Sequence, residues 1–99
     1  MMPTVLVTGA NRGIGLHFAR QYARDGWQVL GACRDPARAS DLREILPAAH
    51  LKRLDVTDPA SVQALADELA GHPIDVLIAN AGVMSSLPRS APLEIEEAA

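Results

Sequence analysis

The sequence predicts an α/β fold: a parallel sheet with crossover helices on both of its faces. Three observations carry that prediction. Short aliphatic runs alternate with amphipathic stretches in the order strand, helix, strand, helix, strand, helix, strand. A glycine-rich turn joins the first run to the first amphipathic stretch, and Asp-Pro pairs stand where the second and third helices should open. At 99 residues the chain is one small domain, with its core expected over residues 4–82 and a tail, or the start of another helix near Leu93, over 83–99.

Val5-Leu6-Val7 is β-branched and aliphatic throughout, as a strand buried on both faces must be. From Gly13 the apolar residues Ile14, Phe18 and Tyr22 recur every fourth position, predicting one face of a helix that stops at Gly26. Residues Trp27 to Cys33 form the second predicted strand. Asp35-Pro36 then predicts a helix N-cap with proline in the first turn, opening a helix that turns Leu42, Ile45 and Leu46 inward and ends at Pro47. His50 to Leu54 is the third strand. Asp58-Pro59 repeats the cap device for a helix with Val62, Leu65, Ala66 and Leu69 inward, ending at Gly71. Ile74 to Ala79 is the fourth strand, running into Asn80-Ala81-Gly82.

Composition narrows the functions open to this fold. Aromatic residues are few and confined to Phe18, Tyr22 and Trp27, so the core has to be aliphatic. Nine basic against twelve acidic residues leave a net charge of −3, which argues against a nucleic-acid surface and requires any anion recognition to be local. The single cysteine, Cys33, excludes an intrachain disulfide. No segment is long and apolar enough to span a bilayer and no secretory signal is visible, so a cytoplasmic location is expected.

The glycine turn supplies local anion recognition. A helix that begins directly after a parallel strand offers free backbone N–H groups and the positive end of its dipole, which together attract phosphate. Gly9 can turn the chain sharply, Gly13 lets a phosphate approach the backbone, and Gly15 lets the helix lie close to the sheet. The spacing G-x-x-x-G-x-G is not a P-loop, because no Lys-Ser or Lys-Thr follows it.

Thr8-Gly9-Ala10-Asn11-Arg12-Gly13-Ile14-Gly15 resembles the T-G-x-x-x-G-x-G fingerprint of short-chain dehydrogenases/reductases. Leu54-Asp55-Val56 is similar to the adenine-contacting segment of that family, and Ala79-Asn80-Ala81-Gly82 to its N-N-A-G motif, with Ala79 in place of the first Asn. The run through residues 12–23 and the segment Cys33-Arg34-Asp35-Pro36 look closest to the C-factor-like and carbonyl-reductase-like branch. The resemblance implies a Rossmann-type sheet of order 3-2-1-4, here truncated after the fourth strand. It implies NAD(P)-dependent interconversion of a carbonyl and an alcohol, with the dinucleotide and a small carbonyl or alcohol substrate as partners. Cofactor contacts are then expected at Thr8, Gly9, Asn11, Arg12, Gly13, Ile14, Gly15, Arg34, Asp55, Val56, Asn80, Ala81 and Gly82.

Residue chemistry orders the two cofactors. An acid at the end of the second strand would accept from a ribose 2′-hydroxyl and repel a 2′-phosphate. This strand ends instead at neutral Cys33 followed by Arg34, and Arg12 lies within the glycine turn, so NADP(H) is favoured and NAD(H) remains possible. Asp35 is within reach of the ribose, but capping the second helix is its expected role.

Several other candidates are read as structural. Tyr22 is followed four residues later by Gly26 rather than lysine, and core packing is expected of it. His17, His50 and His72 share no metal-ligand spacing, and no metal is expected. The resemblance assigns proton transfer to a Tyr-x-x-x-Lys pair and carbonyl polarisation to a serine on a later strand. No Tyr-x-x-x-Lys occurs in the chain, and Ser85 and Ser86 precede that position. The chain is therefore read as the cofactor-binding half, inactive alone, with a non-catalytic NADP(H)-binding module or a decayed gene product as the alternative. The fourth strand is expected at an open apolar edge, which would favour self-association.

Overall fold

The structure is a computed structural model that describes residues 2–80 and, as a strand, 94–97. Its elements are β1 (Thr4–Thr8), α1 (Gly13–Arg24), β2 (Gln28–Cys33), α2 (Ser40–Ile45), β3 (Leu51–Arg53), α3 (Pro59–Glu68), β4 (Val76–Ala79) and β5 (Glu94–Glu97). The strands form one sheet of order β3-β2-β1-β4-β5, every adjacent pair parallel. The expected 3-2-1-4 run is present.

The strand period of two sorts the core into two layers. Val5 and Val7 of β1, Val29 and Cys33 of β2, and Val76 and Ile78 of β4 face α1 and α2. Leu6, Leu30, Ala32 and Leu77 point the other way, into a cluster closed by Leu54 and by Leu65 of α3. Register aligns like with like: Val5 lies opposite Val29 and Val76, and Leu6 opposite Leu30 and Leu77. Helices therefore cover both faces, as the unbroken apolar strands require. Among the described residues no helix is long and apolar enough to cross a membrane.

α1 buries a different stripe from the one its large residues mark. Gly15, Leu16 and Ala19 are buried, while Phe18, Tyr22 and Ala23 are partly so and Ile14 is 47% exposed. The small residues occupy the centre of the face because the helix lies close on the sheet, which pushes bulky side chains to its shoulder. Tyr22 packs edge-to-face on Trp27 with ring centroids 4.9 Å apart, a packing role as expected.

The two Asp-Pro pairs diverge. Asp58 caps α3, its carboxylate accepting from the Ala60 N–H at 3.0 Å. Asp35 caps nothing: Pro36–Arg38 is a short 3₁₀ turn, and α2 starts afresh at Ser40. The chain breaks at Ala39 because Ala39 and Leu42 are both drawn into the core. On α3, Val62, Leu65 and Leu69 turn inward as expected, but Ala66 is exposed.

The edge expectation needs correction. β5 pairs with β4 along its whole length, from Val76 beside Glu94 to Ala79 beside Glu97, so the apolar fourth strand is not an open edge and the sheet does not stop there. Residues 94–97 are strand rather than the start of a helix. An extended segment satisfies the unpaired N–H and C=O groups of β4, which a helix leaves unmet.

Two substitutions test this packing. Asp58→Ala should lower stability by about 1 kcal/mol through loss of the cap, as read by denaturant unfolding. Leu42→Ala, at a fully buried position, should cost about 2–5 kcal/mol. A midpoint unchanged by the first would contradict the cap, and one unchanged by the second would contradict the burial of Leu42.

Candidate functional site

The C-terminal ends of the parallel strands converge on one rim. At its centre lies the turn between β1 and α1, where the chain passes from β1 to neighbours on either side, the place at which open parallel sheets form a crevice. Gly9 and Gly13 hold φ of +62° and +59°, a left-handed backbone that side chains disfavour. Between them, the Ala10 N–H donates to the Ala32 carbonyl at 3.1 Å, tying the turn to β2. A Cβ at Gly13 would meet nothing within 4 Å, so the face in front of it is open.

Gly15 is different. A Cβ there would lie 2.1 Å from the Gly9 carbonyl oxygen and 2.6 Å from Nδ2 of Asn80, a close approach only glycine permits. Asn80 fixes that contact from β4: its Nδ2 donates to the Gly9 carbonyl at 3.3 Å, and its backbone N–H donates to Oγ1 of Thr8 at 2.9 Å. Thr8 in turn donates to the Ile78 carbonyl at 3.4 Å. Thr8, Gly9, Gly15 and Asn80 thus form one cross-strand knot. Ala81 and Gly82 lie outside the described residues.

The N-terminus of α1 carries no side-chain cap and no acid in its first turn. Arg12 occupies the cap position in an extended conformation, and its carbonyl accepts from the Leu16 N–H at 3.2 Å. The first-turn N–H groups, from Gly13 onward, are left available to an external acceptor, beside the exposed Ile14.

Next to this helix end, Asn11, Arg12, Arg34, Asp35 and Arg38 line an open cleft of about 230 Å³. That is below the usual range for a whole drug-sized ligand, about 300–1,000 Å³, and suits one portion of a longer molecule. The expected pair Arg12 and Arg34 is therefore brought together. Arg38 was missed by sequence reasoning. Its signal was the spacing of four from Arg34, hidden by the assumption that a helix already ran through it. Asp35 pairs with Arg38, its Oδ2 3.5 Å from Nε. The neighbouring Cys33 is buried, and desolvation pushes its thiol pKa upward, which fits packing rather than reactivity.

Beyond β3, Asp55 is held in a tight turn. Its Oδ1 accepts from the Thr57 hydroxyl at 2.6 Å and from the Thr57 N–H at 3.0 Å. These bonds hold its carboxyl below the usual carboxylate range, with smaller help from the Arg34 and Arg53 charges. The Asp55 N–H donates to Oγ of buried Ser61 at 2.9 Å, a brace from α3 that no sequence motif signalled. Val56 packs partly against the second core cluster. Asp55 and Val56 stand at the rim with the other sites but do not line the arginine cleft.

A family model described as short chain dehydrogenase matches residues 3–98. Galactitol 2-dehydrogenase from Agrobacterium fabrum is 45% identical over 87 residues, covering 84% of this chain and 34% of the enzyme. A short-chain dehydrogenase/reductase from Burkholderia multivorans with bound NADP superimposes with a TM-score of 0.74 at 34% identity, covering 84% of this chain and 38% of the other. A 3-ketoacyl-(acyl-carrier-protein) reductase from Brucella melitensis complexed with NADH gives 0.67 at 30% identity, covering 82% and 34%. The chain spans about a third of the length of these relatives.

Two measurements probe the site itself. Gly15→Ala should destabilise the fold by about 1–3 kcal/mol or more, because backbone rather than a mobile side chain blocks the new Cβ. In Thr57→Val the Asp55 carboxyl should titrate at higher pH than in the parent, as followed by NMR; the carboxylate form is favoured in the parent, so its bonds persist above its folded pKa and are lost as pH falls through it.

Proposed function

The chain belongs to the short chain dehydrogenase family, and from that premise we propose that it is the cofactor-binding portion of an NADP(H)-dependent oxidoreductase that interconverts a carbonyl and an alcohol. One observation supports this above the rest: the uncapped, glycine-flanked N-terminus of α1 lies beside a cleft lined by three arginines. A pyrophosphate matches the first feature and a 2′-phosphate the second.

The residues present fit such a group. First-turn N–H groups from Gly13 and Ile14 would hold the pyrophosphate, with Gly13 leaving the approach clear. Arg12, Arg34 and Asn11 would hold the ribose 2′-phosphate through charge-assisted bonds. Asp55, kept ionised by Thr57, would accept from the adenine amino group, with Val56 alongside. Thr8, Gly9, Gly15 and Asn80 would keep the turn in place, and the family motif adds Ala81 and Gly82 to the proposed cofactor contacts. When bound, the dinucleotide supplies or accepts a hydride at its nicotinamide. No residue of the chain is assigned to proton transfer, because Tyr-x-x-x-Lys does not occur and the only lysine, Lys52, is paired with Glu68 away from the cleft.

One of these relatives carries NADP and another NADH, so the choice between them rests on this cleft alone. NADPH should bind more tightly than NADH, and Arg34→Ala should narrow that gap by about 1–3 kcal/mol, the scale of one charge-assisted contact. Fluorescence titration measures both affinities; equal values in the parent chain would sink the 2′-phosphate reading.

A further inference from the structure

Among the described residues three polar residues are buried: Thr4, Thr8 and Ser61. Thr4 and Thr8 are the two ends of β1 and bond within the sheet. Ser61 lies in the first turn of α3, only 5% exposed, and its hydroxyl reaches back to the chain leaving β3. A hydroxyl is costly to bury without partners. Oγ of Ser61 accepts twice, from the Asp55 N–H at 2.9 Å and from Nη1 of Arg53 at 3.5 Å.

The first of these bonds fixes the backbone of Asp55. The Leu54 N–H still bonds across the sheet, to the Cys33 carbonyl at 2.8 Å. One residue later the Asp55 N–H turns to Ser61, and the Asp55 carbonyl accepts from the Asp58 N–H at 3.0 Å. Both backbone groups of Asp55 are thus tied to the start of α3, a helix seated by Val62 and Leu65 in the second core cluster. The side chain is anchored separately. Thr57 engages Oδ1 with both its N–H and its hydroxyl, while Oδ2 has no hydrogen-bond partner among the described residues. One carboxylate oxygen is used inside the turn and the other is left to an external donor.

We propose that Ser61 is a positioning residue for recognition of the purine base: from α3 it fixes the Asp55 backbone, so that Asp55 keeps its second carboxylate oxygen for the exocyclic amino group. This rests on the dinucleotide reading, in which Asp55 accepts from the adenine. A carboxylate accepts and cannot donate, so a base with an amino group is favoured over one with a carbonyl oxygen in its place. Ser61 is buried and acts only through Asp55. Without its hydroxyl, the Asp55 N–H loses its partner and the preference for the amino base falls.

The test titrates NADPH and its hypoxanthine analogue, in which oxygen replaces the adenine amino group, into the full chain. Parent, Ser61→Ala, Asp55→Asn and the double variant are compared by fluorescence. The parent should prefer NADPH about tenfold, the scale of one hydrogen bond to a charged group. Ser61→Ala should cut that preference to about threefold or less, acting mainly on NADPH. An amide both accepts and donates, so Asp55→Asn should abolish the preference, and adding Ser61→Ala should change it no further. Amide hydrogen exchange at Asp55 should also quicken in Ser61→Ala without ligand. A Ser61→Ala chain that keeps the parent ratio, or weakens both ligands by the same factor, overturns the positioning role and leaves the dinucleotide reading standing. A parent that binds NADPH without preferring it to the analogue overturns Asp55 as the base contact, and one that binds neither overturns the dinucleotide reading; the positioning role falls with either. Circular dichroism checks each fold. If Ser61→Ala unfolds, Ser61→Cys, which keeps the shape with only a weak acceptor, replaces it with the same expected loss.

Discussion

Everything at the rim depends on how closely α1 approaches the end of β1. The helix can begin where it does only because position 15 has no Cβ, which would otherwise sit 2.1 Å from the Gly9 carbonyl oxygen. That carbonyl is also the acceptor for the Asn80 amide, so β4 is tied to the turn at the same point. Thr8 completes the connection by accepting from the Asn80 N–H and donating to Ile78. One small volume thus joins β1, α1 and β4. Enlarging residue 15 moves the helix, the uncapped N–H groups and the β4 end together.

This constraint explains which parts of the site are legible in the sequence. Glycine requirements are steric and local, so spacing alone assigns Gly9, Gly13 and Gly15 their separate tasks, and the backbone angles and close contacts agree. Strand order follows from the alternation of elements and the family resemblance. Ile14 is misplaced by the periodicity for the same steric reason that makes Gly15 legible. A helix packed close on a sheet buries its small residues, and a pattern weighted by large side chains finds the shoulder of the stripe instead.

Capping is harder to read, since it is decided by competition rather than by the dipeptide. Asp35-Pro36 and Asp58-Pro59 look alike, yet only Asp58 reaches the N–H groups of its helix. Asp35 has an arginine three residues later, and the core's demand for Ala39 and Leu42 breaks the chain before a helix can form around it. Arg38 escapes notice for the same cause. A continuous helix from residue 36 would have placed it by helical spacing, whereas the 3₁₀ turn folds it over the cleft. The pairing of β4 by residues 94–97 has no short-range signal either, since Glu-Ile-Glu-Glu carries no strong strand preference and its partner is distant in the sequence.

The site also divides its recognition between two kinds of donor. In the proposed reading, the pyrophosphate is held by backbone N–H groups, which no ordinary substitution removes; only an added Cβ or an altered turn would disturb them. In the same reading the 2′ position would be met by Arg12 of the glycine turn and by Arg34 and Arg38 of the exposed segment between β2 and α2. Changing those side chains alters the charge in the cleft without moving the glycine knot. In that reading, binding of a dinucleotide would rest on backbone geometry, and the choice between dinucleotides on side chains of the glycine turn and of the segment between β2 and α2. The overall charge of −3 makes that separation sharper, because no general positive field supplements the local arginines. Three guanidinium groups and one carboxylate set the local charge of the cleft.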